Sequence, residues 1–403
     1  MNHIAIINTC DWGSTGKIAK GLTDFLNRNG ANARFYYGRG KKSRYGEYRR
    51  FCYTAEIYLQ AFLDKTKGSF YTSLQFPTNR LIRMLREWDT KEVYIINLHG
   101  HYLNEKRFLD YLIHDHIHVV YIMADESAFR GNCGGAESCL EYLNGCKNCP
   151  RRNWIQRSLW PRISNIGYQT KKHAYQLMGS TIFVGPKYVM KCVRDSQMIK
   201  DRFLLHLDEA IDINRYQPKD ATMLRRELDI ADNQIIIGCV APFSVWYKGV
   251  KYFIELAKAL ESYSQYMFVH VGYDSRKKSN LPKNYVAVGY VKNQDLLAQF
   301  FSLFDLLVFP SLQDTMPNVC LEAMACGTPL MCFNTSGMPY LAGPDILTLV
   351  ETGSIDQMKR IVLSTPHKDK AIIDKCRNYA VVRYDSQKYF ARLMDAMKKT
   401  YEH

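Results

Sequence analysis

Asp314 and Glu322 stand eight positions apart in PSLQDTMPNVCLEAMACGTPL, residues 310 to 330. Pro317 is suited to the first position of a helix, Gly327 to its C-terminal cap, and Pro329 stops its continuation. The spacing predicts a helix over 318–326, with Asp314 in the loop before it and Glu322 inside it. Carboxylates at those places can accept hydrogen bonds from sugar or ribose hydroxyls. Backbone N–H groups near the helix start, in the stretch Met316, Pro317 and Asn318 where Met316 and Asn318 carry them, suit phosphate or hydroxyl oxygens. The plainer reading makes Asp314 a loop or capping residue and Glu322 a helix-surface residue, and composition alone favours it.

A second stretch with anion-binding character is NTCDWGSTGKIAK, residues 8 to 20, which follows an apolar run. It is not a P-loop: Asp11 stands where the first glycine belongs, and Ile18 follows Lys17 where a hydroxyl is required. What remains is a loop, Gly13, Ser14, Thr15 and Gly16, that can bring backbone N–H groups to an anion at a helix start. A glycine-rich turn that binds nothing fits the same residues, and Lys17 reads as a helix residue.

The chain has 12 cysteines. Most lie in apolar surroundings and read as small core residues. Cys133, Cys139, Cys146 and Cys149 cluster in NCGGAESCLEYLNGCKNCP, a density that suits a structural zinc. Free thiols or a stray disulfide are the other readings.

The surrounding pattern must position these residues. Short β-rich runs (HIAIINT, ARFYYG, EVYIINLH, HVVYIMAD, TIFVGP) alternate with helical spacing, and the alternation restarts at QIIIGCVAP. That is the signature of parallel sheets with crossover helices, repeated in two domains. A length of 403 residues fits two cores. The polar stretch 213–233 reads as the junction, and 384–403 as a C-terminal helix. In such sheets ligands bind beyond the carboxyl ends of the strands.

The segment 310–330 resembles the donor-site signature of retaining glycosyltransferases of family 4: an acidic residue, seven residues, Glu, then Ala-Met-Ala-x-Gly-x-Pro. Residues 5–39, NLHGHYLN, ESAFRGNC and KGVKYFIELAKAL resemble further sections of a bacterial polysaccharide branch of that family, in the right order. The resemblance implies an α/β GT-B fold, two doubly wound Rossmann-like domains facing one cleft. It divides the chain into an acceptor domain at 1–208 with a Cys-rich insertion at 130–150, a donor domain at 209–383, and a helix at 384–403 crossing back to the first domain.

It also implies roles. Glu322 matches the glutamate that binds ribose hydroxyls, and Asp314 the acidic residue at the transferred sugar. Met316, Pro317 and Asn318 match the loop facing that sugar. Lys248 matches the lysine that neutralises the diphosphate, and the 13–16 loop lines the same region. His99 matches the histidine of a His-Gly-x-x-Leu-Asn stretch, with a structural histidine at a strand end as the alternative. Three departures stand out. Ala124-Asp125 replaces the usual His-Asp, Pro242 and Phe243 lie where an arginine usually accompanies the lysine, and Glu209-Ala210 replaces Asn-Gly.

The expected activity is transfer from a nucleoside-diphosphate sugar, UDP or GDP foremost, to a glycan or polyprenyl-diphosphate-linked acceptor in cell-surface polysaccharide synthesis. No cofactor or metal is expected in catalysis, and any zinc would be structural. A non-transferring epimerase or hydrolase, or a scaffold partner of another transferase, are the alternatives. The net charge of +15 includes the run RFYYGRGKKSRYGEYRR at 34–50. With no zinc-finger helix or RNA-binding strand signature, this points to anionic lipid rather than nucleic acid. No export leader is expected, since His3 stands inside the short N-terminal apolar run, and no apolar run nears the roughly 20 residues of a membrane span. A cytoplasmic protein, peripheral at the inner membrane face, is the expectation.

Overall fold

The computed structural model describes residues 3–41, 43, 46–67, 74–131, 133–135, 139–150, 163–179, 181–196, 198–199, 204–273 and 280–401. The chain divides into two compact units, Met1–Leu207 with Phe390–His403, and Asp208–Tyr389.

The first unit holds seven strands: β1 His3–Cys10, β2 Asn32–Arg39, β3 Tyr48–Arg50, β4 Thr90–Ile95, β5 His118–Ile122, β6 Thr181–Gly185 and β7 Leu204–His206. Their order is β3-β2-β1-β4-β5-β6-β7, and all neighbours are parallel. A parallel sheet buried on both faces needs near-continuous apolar strands. The sequence supplies them: Ile4–Ile7, Val93–Ile95 and Val119–Ile122 are all buried. The helix Gly13–Arg28 returns the chain from β1 to β2. The C-terminal helix Ser386–Tyr401 brings Phe390 against Phe25 at 5.6 Å between ring centroids.

The second unit repeats the plan with β8 Ile235–Val240, β9 Tyr266–Val271, β10 Tyr285–Val288, β11 Leu306–Phe309, β12 Leu330–Phe333 and β13 Leu347–Val350, ordered β10-β9-β8-β11-β12-β13. Each sheet changes winding direction beside its first strand, between β1 and β4 and between β8 and β11. Ligands in doubly wound sheets bind at such points, beyond the strand ends.

The polar stretch 213–233 is not a linker. Tyr216, Leu224 and Ile230 are buried in the second unit's core, and Arg377 donates to the carbonyls of Ile213 and Tyr216. Its polarity belongs to one face of an ordered segment, which composition alone cannot distinguish from a solvated connection.

One close approach governs the second unit's loops. Gly249 has φ +71°, and a Cβ there would stand 1.8 Å from the Pro310 carbonyl oxygen at the end of β11. The glycine lets the turn carrying Lys248 lie against that strand end. Gly249→Ala is expected to cost about 2–4 kcal/mol, from left-handed strain and a backbone clash together. Urea unfolding would read this as a lower midpoint at an unchanged m value.

Candidate functional site

In the second unit the loop after β11 carries Asp314, and the helix Asn318–Ala325 carries Glu322. Pro317 stands one place earlier than expected, as the N-cap, and Gly327, with φ +82°, ends the helix. The loop is clamped by Gly337, whose N–H donates to the Asp314 carbonyl at 2.9 Å. A Cβ at Gly337 would meet the Thr315 carbonyl oxygen at 1.7 Å.

Lys248 and Asp314, 66 positions apart, meet as an ion pair with Nζ 2.5 Å from Oδ2. Burial disfavours the Lys248 charge, but the Asp314 carboxylate outweighs it and holds the ammonium above the ordinary lysine range. The two residues implied to meet diphosphate and sugar are therefore neighbours.

Glu322 is only 4% exposed, which removes the reading that makes it a helix-surface residue. Its charge acts on Tyr216: burial, followed by the Glu322 charge, pushes that phenol far up. The Tyr216 hydroxyl also lies 2.6 Å from Gln294 Oε1. Met316 is buried, with its sulfur 3.2 Å from the Glu209 N–H. The Asn318 side-chain oxygen is buried and has no hydrogen-bond partner among the described residues. Native structures rarely leave such an acceptor unsatisfied, and a ligand hydroxyl would complete it.

In the first unit residues 13–16 are not a loop but the first turn of the helix Gly13–Arg28, whose N-cap is Trp12. Gly16 is required by packing, since a Cβ would stand 2.7 Å from the Asp11 carbonyl carbon. Buried Asn8 holds the turn by donating to the Cys10 carbonyl at 2.7 Å and to Thr15 Oγ1 at 3.2 Å. Gly13, Ser14 and Lys17 are exposed, and Thr15 is half-buried. Lys17 thus lies on the helix surface.

His99 follows β4 and Asp125 follows β5, so the parallel register brings both to the same end of the sheet. Nε2 of His99 lies 2.7 Å from Asp125 Oδ2, and Asp125 Oδ1 accepts from the Ser127 N–H at 2.8 Å. Burial opposes the charge on His99, but the Asp125 carboxylate wins and raises its pKa, while Asp125 is lowered despite its own burial. The His99 contribution to stability is therefore full below about pH 6.5, its unfolded value. It is lost as pH rises through the higher folded value. Asp125→Asn is expected to drop the His99 pKa below about 6.5, because burial and the Lys171 charge are then opposed only by the weaker pull of Glu105. Histidine NMR titration of both proteins reads this directly, and an unmoved His99 would remove the pair.

Gly134 lies over this pair: a Cβ there would be 3.4 Å from Asp125 Oδ2 and 3.7 Å from His99 Nε2. Gly134, within the Cys-rich insertion, thus packs against His99 and Asp125. The insertion's central charge is Arg130, which pairs with buried Glu126, donates to the Cys139 carbonyl at 3.0 Å and lies 4.5 Å from the Tyr142 ring centroid. Lys171 donates to the carbonyls of Ser127 and Arg130, fixing the loop from below. Cys133, Cys139, Cys146 and Cys149 are free thiols, and among the described residues no three His, Cys, Asp or Glu side chains gather into a metal site. Burial pushes the Cys133 thiol up to about 12. A structural zinc at these cysteines is expected to show as a drop of several degrees in the thermal midpoint on EDTA treatment, and an unchanged midpoint would remove it.

Sequence reasoning missed Tyr216, Gly249, Gly337, Gly134, Arg130 and Lys171. The signal for Gly249 and Gly337 was their adjacency to Lys248 and to the end of the donor segment. Nothing in the sequence linked Tyr216 to Glu322, which lies over a hundred positions away.

Residues 234–380 match the family model described as Glycosyl transferases group 1. The processive diacylglycerol alpha-glucosyltransferase of Acholeplasma laidlawii is 25% identical over 183 residues, 43% of this chain and 54% of that protein. The chain thus spans about half the length of this curated relative. Among solved structures, sucrose-phosphate synthase from Thermosynechococcus elongatus superposes with a TM-score of 0.70 at 12% identity, over all of both chains. Anabaena HepE in complex with UDP-glucose does so with a TM-score of 0.66 at 14% identity, over 98% of this chain and 99% of the other. With two parallel-sheet Rossmann-like units, the fold is GT-B, as the resemblance of its motifs implied.

Proposed function

We propose that the chain is a retaining glycosyltransferase that moves a sugar from a nucleoside-diphosphate donor to a glycan or lipid-linked acceptor in cell-surface polysaccharide synthesis. The observation that carries this reading is the second unit's constellation: buried Glu322, the Lys248–Asp314 pair and the unsatisfied Asn318 oxygen around one helix start. The family-model match over 234–380 supports it, as does a solved neighbour that binds UDP-glucose. The diacylglycerol in a relative's name favours a lipid-borne acceptor.

In this reading Glu322 accepts the ribose hydroxyls, and Asp314 with the 316–318 loop holds the transferred sugar. As the glycosidic bond breaks, charge grows on the leaving diphosphate. Lys248 exchanges part of its attraction for Asp314 for that charge, and helix-start amides add to it. The acceptor attacks the face that the diphosphate leaves, and a phosphate oxygen takes the acceptor's proton. Neither step needs a covalent carboxylate or a metal. His99, held by Asp125, is the first unit's polar group for the acceptor or sugar.

Thermal-shift screening with UDP-, GDP-, ADP- and dTDP-sugars, followed by NMR of the product's anomeric configuration, tests this. One base should stabilise the protein, and the product should keep the donor's configuration. An inverted product would remove the retaining mechanism. Free sugar or an epimer formed without acceptor would replace transfer by hydrolysis or epimerisation, a reading that Ala124 in place of the usual histidine favours. No shift with any donor would favour a scaffold.

A further inference from the structure

The helix Thr54–Lys67 in the first unit is apolar on its outward face, while its inward face mixes buried Ile57 with polar side chains. Its inward positions include Gln60 and Asp64, 2% and 3% exposed. Gln60 donates to the Leu103 carbonyl at 2.9 Å, and Asp64 pairs with His101. Its outward positions 55, 58, 59 and 62 follow the i, i+3, i+4, i+7 spacing of one helix face and hold Ala55, Tyr58, Leu59 and Phe62. Tyr58 is 73% exposed and Phe62 62%. A helix on a water-facing surface normally carries the opposite arrangement.

Basic side chains frame this stripe. Arg50 donates to Thr54 Oγ1 at 2.8 Å at the helix start and to the Gly40 carbonyl at 3.0 Å, next to exposed Lys41. Arg80, on the helix Gln75–Glu87, pairs with Glu56 at 2.8 Å and lies 4.3 Å from the Tyr53 ring centroid. On the same face of that helix are Phe76, exposed, and Arg83, also exposed. Glu56, already engaged by Arg80, is the acidic group at this edge. Aromatic and aliphatic side chains pointing outward within a basic rim match the interfacial region of an anionic bilayer: rings and chains enter the acyl boundary, and cations stay at the headgroups.

We infer that the outward face of the helix 54–67, with Phe76 and the Arg/Lys rim, is a docking surface for anionic lipid. The inference borrows from the proposed function only the expectation that the acceptor is lipid-borne. It would seat the first unit on the membrane by this face.

Flotation with vesicles tests it, using phosphatidylcholine alone and phosphatidylcholine with about 30 mol% phosphatidylglycerol. The wild type should float with the anionic vesicles and be released as salt rises from roughly 0.1 to 0.5 M. Tyr58→Ser/Leu59→Ser/Phe62→Ser should bind at least about tenfold more weakly at low salt, because interfacial binding scales with buried apolar area. Should the triple variant fail to fold, Leu59→Ser alone and Arg83→Glu, each at an exposed position, should still lower the bound fraction. Glu322→Ala should float like the wild type even if donor binding is lost, so failure of the catalytic reading and of this one remain distinct. The inference is overturned if the wild type floats with neither vesicle, or if the variants bind as well as the wild type. It is also overturned if the wild type is a dimer that the triple variant converts to monomer, since a second copy would then be the occupant.

Discussion

Glu322→Ala is expected to weaken binding of the nucleoside-diphosphate sugar by about 3–6 kcal/mol, since a carboxylate accepting two hydroxyl hydrogen bonds contributes roughly 1.5–3 kcal/mol through each. That is on the order of 10²- to 10⁴-fold in Kd. In thermal-shift terms, a donor at about 100 times its Kd stabilises the wild type by roughly 2.7 kcal/mol, and the same concentration should leave the variant unmoved. The unliganded fold should survive the change. Truncation leaves the Tyr216 hydroxyl donating to Gln294 Oε1 at 2.6 Å. Glu322→Gln should fall between the two, because its amide keeps one acceptor. If Glu322→Ala binds donor like the wild type, the buried carboxylate is a structural partner of Tyr216, and the donor lies elsewhere.

Lys248→Met should lower kcat by about 10²- to 10³-fold, the usual cost of removing one preorganised group from a developing charge. It should also lower stability, because Asp314 loses its counter-charge 2.5 Å away in a half-buried loop. The two effects separate in the double variant Lys248→Met/Asp314→Asn. Neutralising both partners should recover most of the stability, as replacing a whole pair is far cheaper than breaking it, yet activity should remain lost. Equal recovery of both would make the pair structural. The Lys248 pKa is raised in the fold. Its charge therefore supports the fold below the unfolded value, about pH 10.4, and is lost as pH rises through the higher folded value. Activity should consequently show no alkaline loss from this group between pH 7 and 9.

The alternation of apolar strands and helical spacing was enough to read two doubly wound sheets, because a parallel sheet buried on both faces leaves no other way to write its strands. The donor helix was legible to within one residue, since Pro317, Gly327 and Pro329 act on backbone angles locally. What local chemistry could not express was partnership across the chain. The spacing of the cysteines carries no sign of Arg130, which donates to the Cys139 carbonyl. The stretch 213–233 read as a junction because one polar face looks like solvent on both sides, although Tyr216 on the other face meets Glu322.

By itself the sequence determined the fold class, the ends of the donor helix, and which residue types stand at strand ends: His99, Asp125, Lys248, Asp314 and Glu322. Only the tertiary structure decided their pairing. His99 joins Asp125 because β4 and β5 run parallel in register, and Lys248 joins Asp314 because Gly249 packs on the end of β11. Contacts of that kind depend on register and close backbone approach between distant segments. Those are set by the packing of the whole sheet, so no single stretch of sequence records them.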